Sequence, residues 1–394
     1  RARAIVDALS PTPERNRASA SLHVLLGRVL APASSPADEA VEASYLQARS
    51  LSAGTGALRA RFESQFALTL TYVAQARFDQ ARAAFEEIRG MFPALPEPLA
   101  IFVGSFLTGA IEYHSGSLAV ARSLLERAVA SPQTPPTTLG VDLRLIAASW
   151  LGLTTLHLGG VDAARARLAQ ELERSALLDA PVNRGFVVQT GCFANMILRD
   201  AGGLDAWAAI GLGLEGLPAV HAIGRFSRGR AASLRGDHRP ALAEMRAGLE
   251  AYRATGQRVA LPALLAALAD AARAGGDDDT AIDCVREALA GAAATGEIRQ
   301  LAELHRLQGL LSGGDRRRVE ACFRRALAVA REQGALWLEL RAATSLGAAT
   351  LDTDASSATR RARRRTLAAV LDRIGEGREL ADVAEARRVH DALA

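Results

Sequence analysis

The sequence contains no lysine: all 47 of its basic residues are arginine. Without a lysine amine the chain cannot supply a phosphate-loop or kinase-strand lysine, a Schiff base or a Ser-Lys nucleophile pair, so several enzyme classes fall together. The absence fits a high-GC coding bias in the source organism. Aromatic residues are scarce, at 5% of the chain, so the core cannot rest mainly on large anchors. There are only three cysteines, Cys192, Cys284 and Cys322. They lie far apart without C-x-x-C or His-paired spacing, and read as small buried hydrophobes of a reducing cytoplasm. Long hydrophobic runs are missing too. The longest, Leu99 to Ile111, is shorter than the roughly 20 residues of a membrane helix, and no signal peptide is recognisable. No stretch alternates β-branched residues long enough to count as a strand. The chain opens on Arg1 rather than Met, which suggests a piece of a longer protein.

What fills the sequence is alanine and leucine, the strongest helix formers, within a hydrophobic share of 49%. Small side chains let helix backbones approach closely, so such a core works through many close helix contacts. A chain of 394 residues is too long for one ordinary core unless it grows by repetition.

The repetition is visible. Gly229, Ala232, Gly236, Ala241, Met245 and Gly248, closing at Gly256, recur 40 residues later as Ala269, Ala272, Gly276, Ala281, Val285 and Ala288, closing at Gly296. A third copy runs from Gly309 through Phe323 and Ala326 to Gly334, two residues shorter in its turn at Ser312 to Asp315. Looser copies start at Gly109 and Gly152, and a first one spans Phe66 to Ile88. The gap from Gly152 to Gly229 places a degenerate copy at Gly191, Ala194, Gly202 and Trp207. A fixed period of this size marks stacked supersecondary units. Its physical basis is that only Gly or Ala lets the first helix of a unit cross the second, with residues such as Leu125 and Phe323 filling the groove beside them. Gly256, Gly296 and Gly334 should cap second helices in the left-handed conformation, and Asp277, Asp278 and Asp279 should open one. The predicted fold is all-α, a right-handed superhelical solenoid of antiparallel hairpins, tetratricopeptide-like with a period of about 40, with a HEAT-like solenoid as the alternative. Breaks are expected between Leu9 and Glu14, at Pro132 to Pro136 and at Asp352 to Ser357. Residues 1–351 form the array and residues 352–394 an Arg-rich helical cap.

Leu151-Gly152, Gly159 and Ala164, with Ala321 to Leu327, match the tetratricopeptide pattern. More specifically, Leu249 to Gly256, Leu261 to Leu265, Glu287 to Leu289, Ala294 to Glu297, Ala302 to Gly309 and Cys322 to Ala328 resemble the C-terminal repeat region of bacterial signal-transduction ATPases, MalT-like activators among them. The resemblance covers roughly residues 1–351. It implies a sensor and docking arm of a larger protein whose ATPase and output domains, DNA-binding or cyclase, lie outside this chain. The last forty residues depart from the family's closing pattern.

Motifs that suggest chemistry have plainer explanations. Gly211-Leu-Gly213-Leu-Glu-Gly216 fits a dinucleotide fingerprint in spacing, yet it follows a helical pattern and precedes Leu217-Pro218, where the fingerprint needs a strand before and a helix after. Gly224 to Gly229 has the wrong spacing for a nucleophile elbow. The seven histidines show no metal spacing, and His114 and His157 occupy equivalent turn positions. No catalytic residue, metal or cofactor is expected. The Arg360, Arg361, Arg363, Arg364 and Arg365 cluster carries much of the formal net charge of +4. It lacks aromatic or amide readout residues, so a solvated helix start or an acidic partner surface is favoured over nucleic acid. The expected function is recognition without catalysis, by first helices facing a concave surface and taking a protein or peptide partner or a small-molecule inducer. Candidate lining residues are Arg144, Trp150, Asn195, Arg225, Arg228, His305 and Trp337.

Overall fold

A computed structural model describes residues 12–33, 35–133, 141–178 and 180–394. The expected break after Leu9 and prolines 135 and 136 lie outside the described residues. Among the described residues there are nineteen α-helices and no strand. Eighteen of them form nine hairpins: α1 (Pro13–Ala33) with α2 (Glu39–Ser52), α3 (Leu58–Ala74) with α4 (Phe78–Arg89), α5 (Glu97–His114) with α6 (Leu118–Ala130), α7 (Leu143–His157) with α8 (Val161–Ser175), and α9 (Pro181–Leu198) with α10 (Ala201–Leu212). The remaining four are α11 (Pro218–Leu234) with α12 (His238–Ala254), α13 (Leu261–Ala274) with α14 (Asp278–Thr295), α15 (Leu301–Leu310) with α16 (Arg316–Gln333), and α17 (Leu336–Leu351) with α18 (Ser357–Leu371). The last helix, α19 (Ala381–Ala392), packs on α17 and α18. The chain is an all-helical, tetratricopeptide-like solenoid.

The two helices of a hairpin differ in burial, and the sequence dictates it. First helices are apolar nearly all round: α5 buries Phe102, Val103, Phe106, Leu107, Ala110 and Ile111 together with Gly109. Second helices carry one apolar stripe, as in α4 with Phe78, Ala81, Ala84 and Ile88. A helix without a polar face must lie inside, and an amphipathic one at the surface. The first helices therefore form an inner layer and the second helices an outer one.

Most crossings are set by a glycine, and that of α13 with α14 by Ala269. A Cβ added at Gly309 would lie 2.6 Å from the Phe323 ring, at Gly229 2.9 Å from Met245, at Gly109 3.0 Å from Leu125, and at Gly191 2.1 Å from Trp207. The degenerate copy is thus a true hairpin. The structure adds one hairpin ahead of the expected first copy, α1 with α2, where Gly27 stands against the Tyr45 ring. The capping glycines have φ of +78° at Gly256, +77° at Gly296 and +67° at Gly334. The Asp277 carboxylate accepts from the Thr280 N–H at 3.2 Å at the start of α14. The Gly211 to Gly216 segment closes α10, as its flanks indicated. One cysteine departs from expectation. Cys192 and Cys284 are buried, whereas Cys322 is only half-buried, because it lies on the rim of the α15–α16 hairpin with its thiol 3.7 Å from Gln308.

The solenoid winds so tightly that successive superhelical turns touch. Turns inside the early hairpins meet loops between the late ones: the N–H groups of Arg258 and Val259 donate to the Ala74 carbonyl at 2.9 and 3.1 Å, and Gln75 reaches the Ala37 carbonyl beside Gly256. Further along, Gly116 abuts Gln333, Gly159 abuts Leu336, and Gly377 abuts Val161. Glu376 accepts from the Asp162 N–H at 2.7 Å, and Arg165 pairs with Glu379 at 3.1 Å. Positive φ at Gly116 and Gly159 (+79° and +103°) lets the backbone turn where the next winding presses on it.

Candidate ligand-binding channel

Three neighbouring cavities share wall residues: two lie within the inner layer, and the third takes walls from the outer helices α16 and α18 as well. The first is lined by Leu70, Val73, Ile146, Trp150, Phe186 and Phe193, with Tyr113, His114 and Arg299 also in its wall, and has a volume of about 200 Å³. A neck of about 40 Å³ shares Phe193 and Arg299 with it. The neck shares Arg199, Asp270 and Arg341 with a groove of about 1700 Å³ between the last hairpins. Apolar at one end and polar at the other, this series of cavities, called the channel below, runs from the early first helices to the last two hairpins.

At the apolar end the few aromatic residues are concentrated. Phe102, Phe106, Trp150 and Phe186 succeed one another across α5, α7 and α9 at centroid spacings of 5.5, 5.5 and 5.8 Å. Rings at such spacings stabilise each other beyond simple burial. Beside them stands a buried polar cluster. The Arg299 guanidinium lies 4.6 Å from the Tyr113 ring centroid, in cation–π geometry, and 3.4 Å from Glu297. Glu297 accepts from the Ala260 N–H at 2.9 and 3.1 Å. His114 Nδ1 is at ion-pair distance from Glu297, 3.4 Å, without hydrogen-bond alignment. Burial holds the His114 imidazole below its ordinary pKa against the opposing pull of Glu297, and burial raises the Tyr113 phenol. Three polar atoms here have no partner: Tyr113 Oη, His114 Nδ1 and Arg299 Nε.

At the neck, charges from five helices meet that of Arg199, the residue just after α9. Asp270 receives Arg230 at 2.5 Å and Arg199 at 3.2 Å. Glu303 receives Arg306 at 2.7 Å, and Asp382 receives Arg341 at 2.6 Å and Arg199 at 3.5 Å. Arg341 also donates to the Ile197 carbonyl. Burial alone would raise the Asp270 carboxyl, but the guanidiniums of Arg230, Arg199 and Arg306 overcome it and hold the group ionised well below the usual range. The same contest leaves Glu303 at about 2, burial raising it and Arg306 lowering it more. The network is a permanent ionic seam joining α9, α11, α13, α15, α17 and α19.

The groove is walled by eight arginines and six carboxylates. Several are spent on each other, as Arg324 and Arg363 are on Glu320. Arg316 and Arg360 line the groove without an acidic partner among the described residues.

The residues singled out from sequence are scattered. Trp150 lines the apolar cavity. Arg144 donates to the Val129 carbonyl at 3.1 Å, and Arg225 and Arg228 both pair with Glu244 at the surface. Asn195 is buried against Gly203, its amide donating to Gly191. His305 sits 3.4 Å from Gln308. Trp337 is fully buried in the core. None of these last six lines the channel. Of the Arg cluster, Arg360 and Arg363 face the groove, while Arg361, Arg364 and Arg365 are exposed. Among the described residues no three His, Cys, Asp or Glu side chains gather as metal ligands, and no helix is long and apolar enough to cross a membrane. Arg299, His114 and the ionic seam were not singled out from sequence. The seam had one signal, a charged residue at an inward position of a first helix, as at Asp270 and Arg341; Arg299, in a loop, had none.

No protein-family profile matches the chain, and no curated protein matches it either. The fold is similar to that of a Rap protein solved in complex with Competence and Sporulation Factor, with a TM-score of 0.57 at 13% identity, covering 95% of this chain and 97% of that one. A Signal Transduction ATPase with Numerous Domains protein with a tetratricopeptide repeat sensor, from Pyrococcus horikoshii, aligns at a TM-score of 0.40 and 12% identity, over 90% of this chain and 55% of that one.

Proposed function

We propose that the chain is a non-catalytic regulatory module that binds a polypeptide segment in the groove between its last hairpins. The observation that carries this is the groove itself. Its volume of about 1700 Å³ exceeds the roughly 300–1,000 Å³ typical of small-molecule pockets, and it presents Arg316 and Arg360 with no acidic partner among the described residues, ready for carboxylates of an extended chain. The Rap protein of the same fold was solved with Competence and Sporulation Factor bound, which supports a binding role for this architecture. Residues 1–351 then act as the array and 352–394 as its cap. In the wider setting implied by the Leu249 to Leu351 resemblance, the module is the regulatory arm of a bacterial, cytoplasmic ATPase-type transcriptional regulator; a free-standing scaffold is the alternative. The test is panning of a random peptide library against the whole chain. Recovered peptides should carry acidic residues, and should bind about tenfold or more weakly to Arg316→Glu/Arg360→Glu and more weakly in high salt. Peptides that bind the double variant as well as the wild type would refute it.

A further inference from the structure

The apolar cavity is separate in chemistry from the groove, and its polar atoms are left over by the fold. We infer that it is a second binding site, for a compact aromatic monocarboxylate, and that its occupant pins the two superhelical turns together. Its volume of about 200 Å³ is somewhat larger than the ~150 Å³ cavity that accepts benzene, which fits one ring with a short head. Trp150, Phe186 and Phe193 supply faces for the ring. The head is defined by what lacks a partner. Arg299 is 3% exposed, yet its Nε–H donates to nothing, and Tyr113 Oη and His114 Nδ1 in the same wall are equally unpaired. Leaving buried donors unsatisfied is costly, and a carboxylate accepts from all three.

Charge balance follows from the same residues. Glu297 already neutralises Arg299, so an entering carboxylate brings one surplus negative charge, and His114, kept neutral in the empty site by its burial, is the group able to take up a proton. The titratable groups facing His114 are Tyr113, Glu297 and Arg299; Phe78 and Trp150 are its other ring neighbours. Binding should therefore tighten as pH falls. The walls come from both windings: Leu70, Val73 and Trp150 from the first, Tyr252, Val259 and Arg299 from the second. A bound molecule touching both opposes their separation.

Tryptophan quenching by para-nitrobenzoate, with para-nitrobenzamide as the neutral counterpart, tests this on the intact chain. Saturable quenching by the carboxylate is expected, lost in Trp150→Phe, and about tenfold or more weaker for the amide and in Arg299→Gln. The groove variant Arg316→Glu/Arg360→Glu should bind the carboxylate normally, which separates this site from the peptide groove. Val73→Phe fills the cavity and should abolish binding, and it decides the matter if Arg299→Gln does not fold. No saturable quenching at millimolar carboxylate, equal binding of the amide, or binding that survives Val73→Phe would overturn the proposal.

Discussion

The guanidinium of Arg299, in the loop leading to α15, lies 4.6 Å from the ring centroid of Tyr113, near the end of α5 and nearly half the chain away in sequence. The pair ties one superhelical turn to the next, and it needs only the ring. The Tyr113 hydroxyl is buried without a partner. Tyr113→Phe should leave the ligand-free protein as stable or about 1 kcal/mol more stable, whereas Tyr113→Leu should cost about 1–3 kcal/mol through lost ring packing and the lost cation–π contact. Urea unfolding of the two variants checks the contrast.

Glycines in this chain are of two kinds. Gly191 lies where a Cβ would run 2.1 Å from Trp207, while Gly291, inside α14 one turn before its end, has nothing within 4 Å. Gly291→Ala should stabilise by roughly 0.5–1 kcal/mol through helix propensity and a less flexible unfolded chain. Gly191→Ala should destabilise by roughly 1–3 kcal/mol through overpacking. Thermal melts showing the same sign for both would contradict the crossing geometry.

The ionic seam at the neck is held by Asp270. Asp270→Asn leaves Arg230 and Arg199 without their nearest counter-charge, an uncompensated buried charge that should cost about 3–5 kcal/mol. Adding Arg230→Met should recover part of that loss, because the charge left over is then removed. A double variant less stable than the single one would show that the seam does not act as a unit.

His157 is fully buried with neither ring nitrogen partnered. Burial, reinforced by Arg299 and Arg341, holds its pKa well below the ordinary value. The unfolded chain takes up a proton near pH 6.5 that the folded chain refuses. Stability from this source is therefore full above that pH and falls below it, by up to ~1.4 kcal/mol per pH unit for one such group. His114 adds in the same sense. His157→Leu should flatten the loss between about pH 6.5 and about pH 5, as read from denaturant midpoints at each pH. An unchanged slope would mean that His157 is not held neutral.

The hairpins were legible in the sequence because their crossings join residues fourteen to sixteen apart, such as Gly309 with Phe323 and Gly191 with Trp207, and a local rule repeats as a period. The first hairpin escaped because Gly27 and Tyr45 are eighteen apart, outside the spacing that the other copies repeat. Contacts between windings were invisible for the opposite reason. Ala74 with Arg258, His114 with Glu297 and Asp162 with Glu376 are each made once, at separations no repeat encodes. The channel depends on those contacts, so of its lining only Trp150 and the groove-facing Arg360 and Arg363 were among the site residues named from sequence.

The channel exists only if the windings touch, and that contact can be measured directly. Nitroxide labels at Ala163→Cys and Glu379→Cys, in a Cys322→Ser background with Cys192 and Cys284 buried, lie beside the Asp162–Glu376 contact and give up only the exposed Arg165–Glu379 pair. The doubly labelled protein should show strong dipolar broadening of its continuous-wave spectrum. A spectrum equal to the sum of the two singly labelled proteins would mean an open solenoid, with neither an enclosed apolar cavity nor a shared neck.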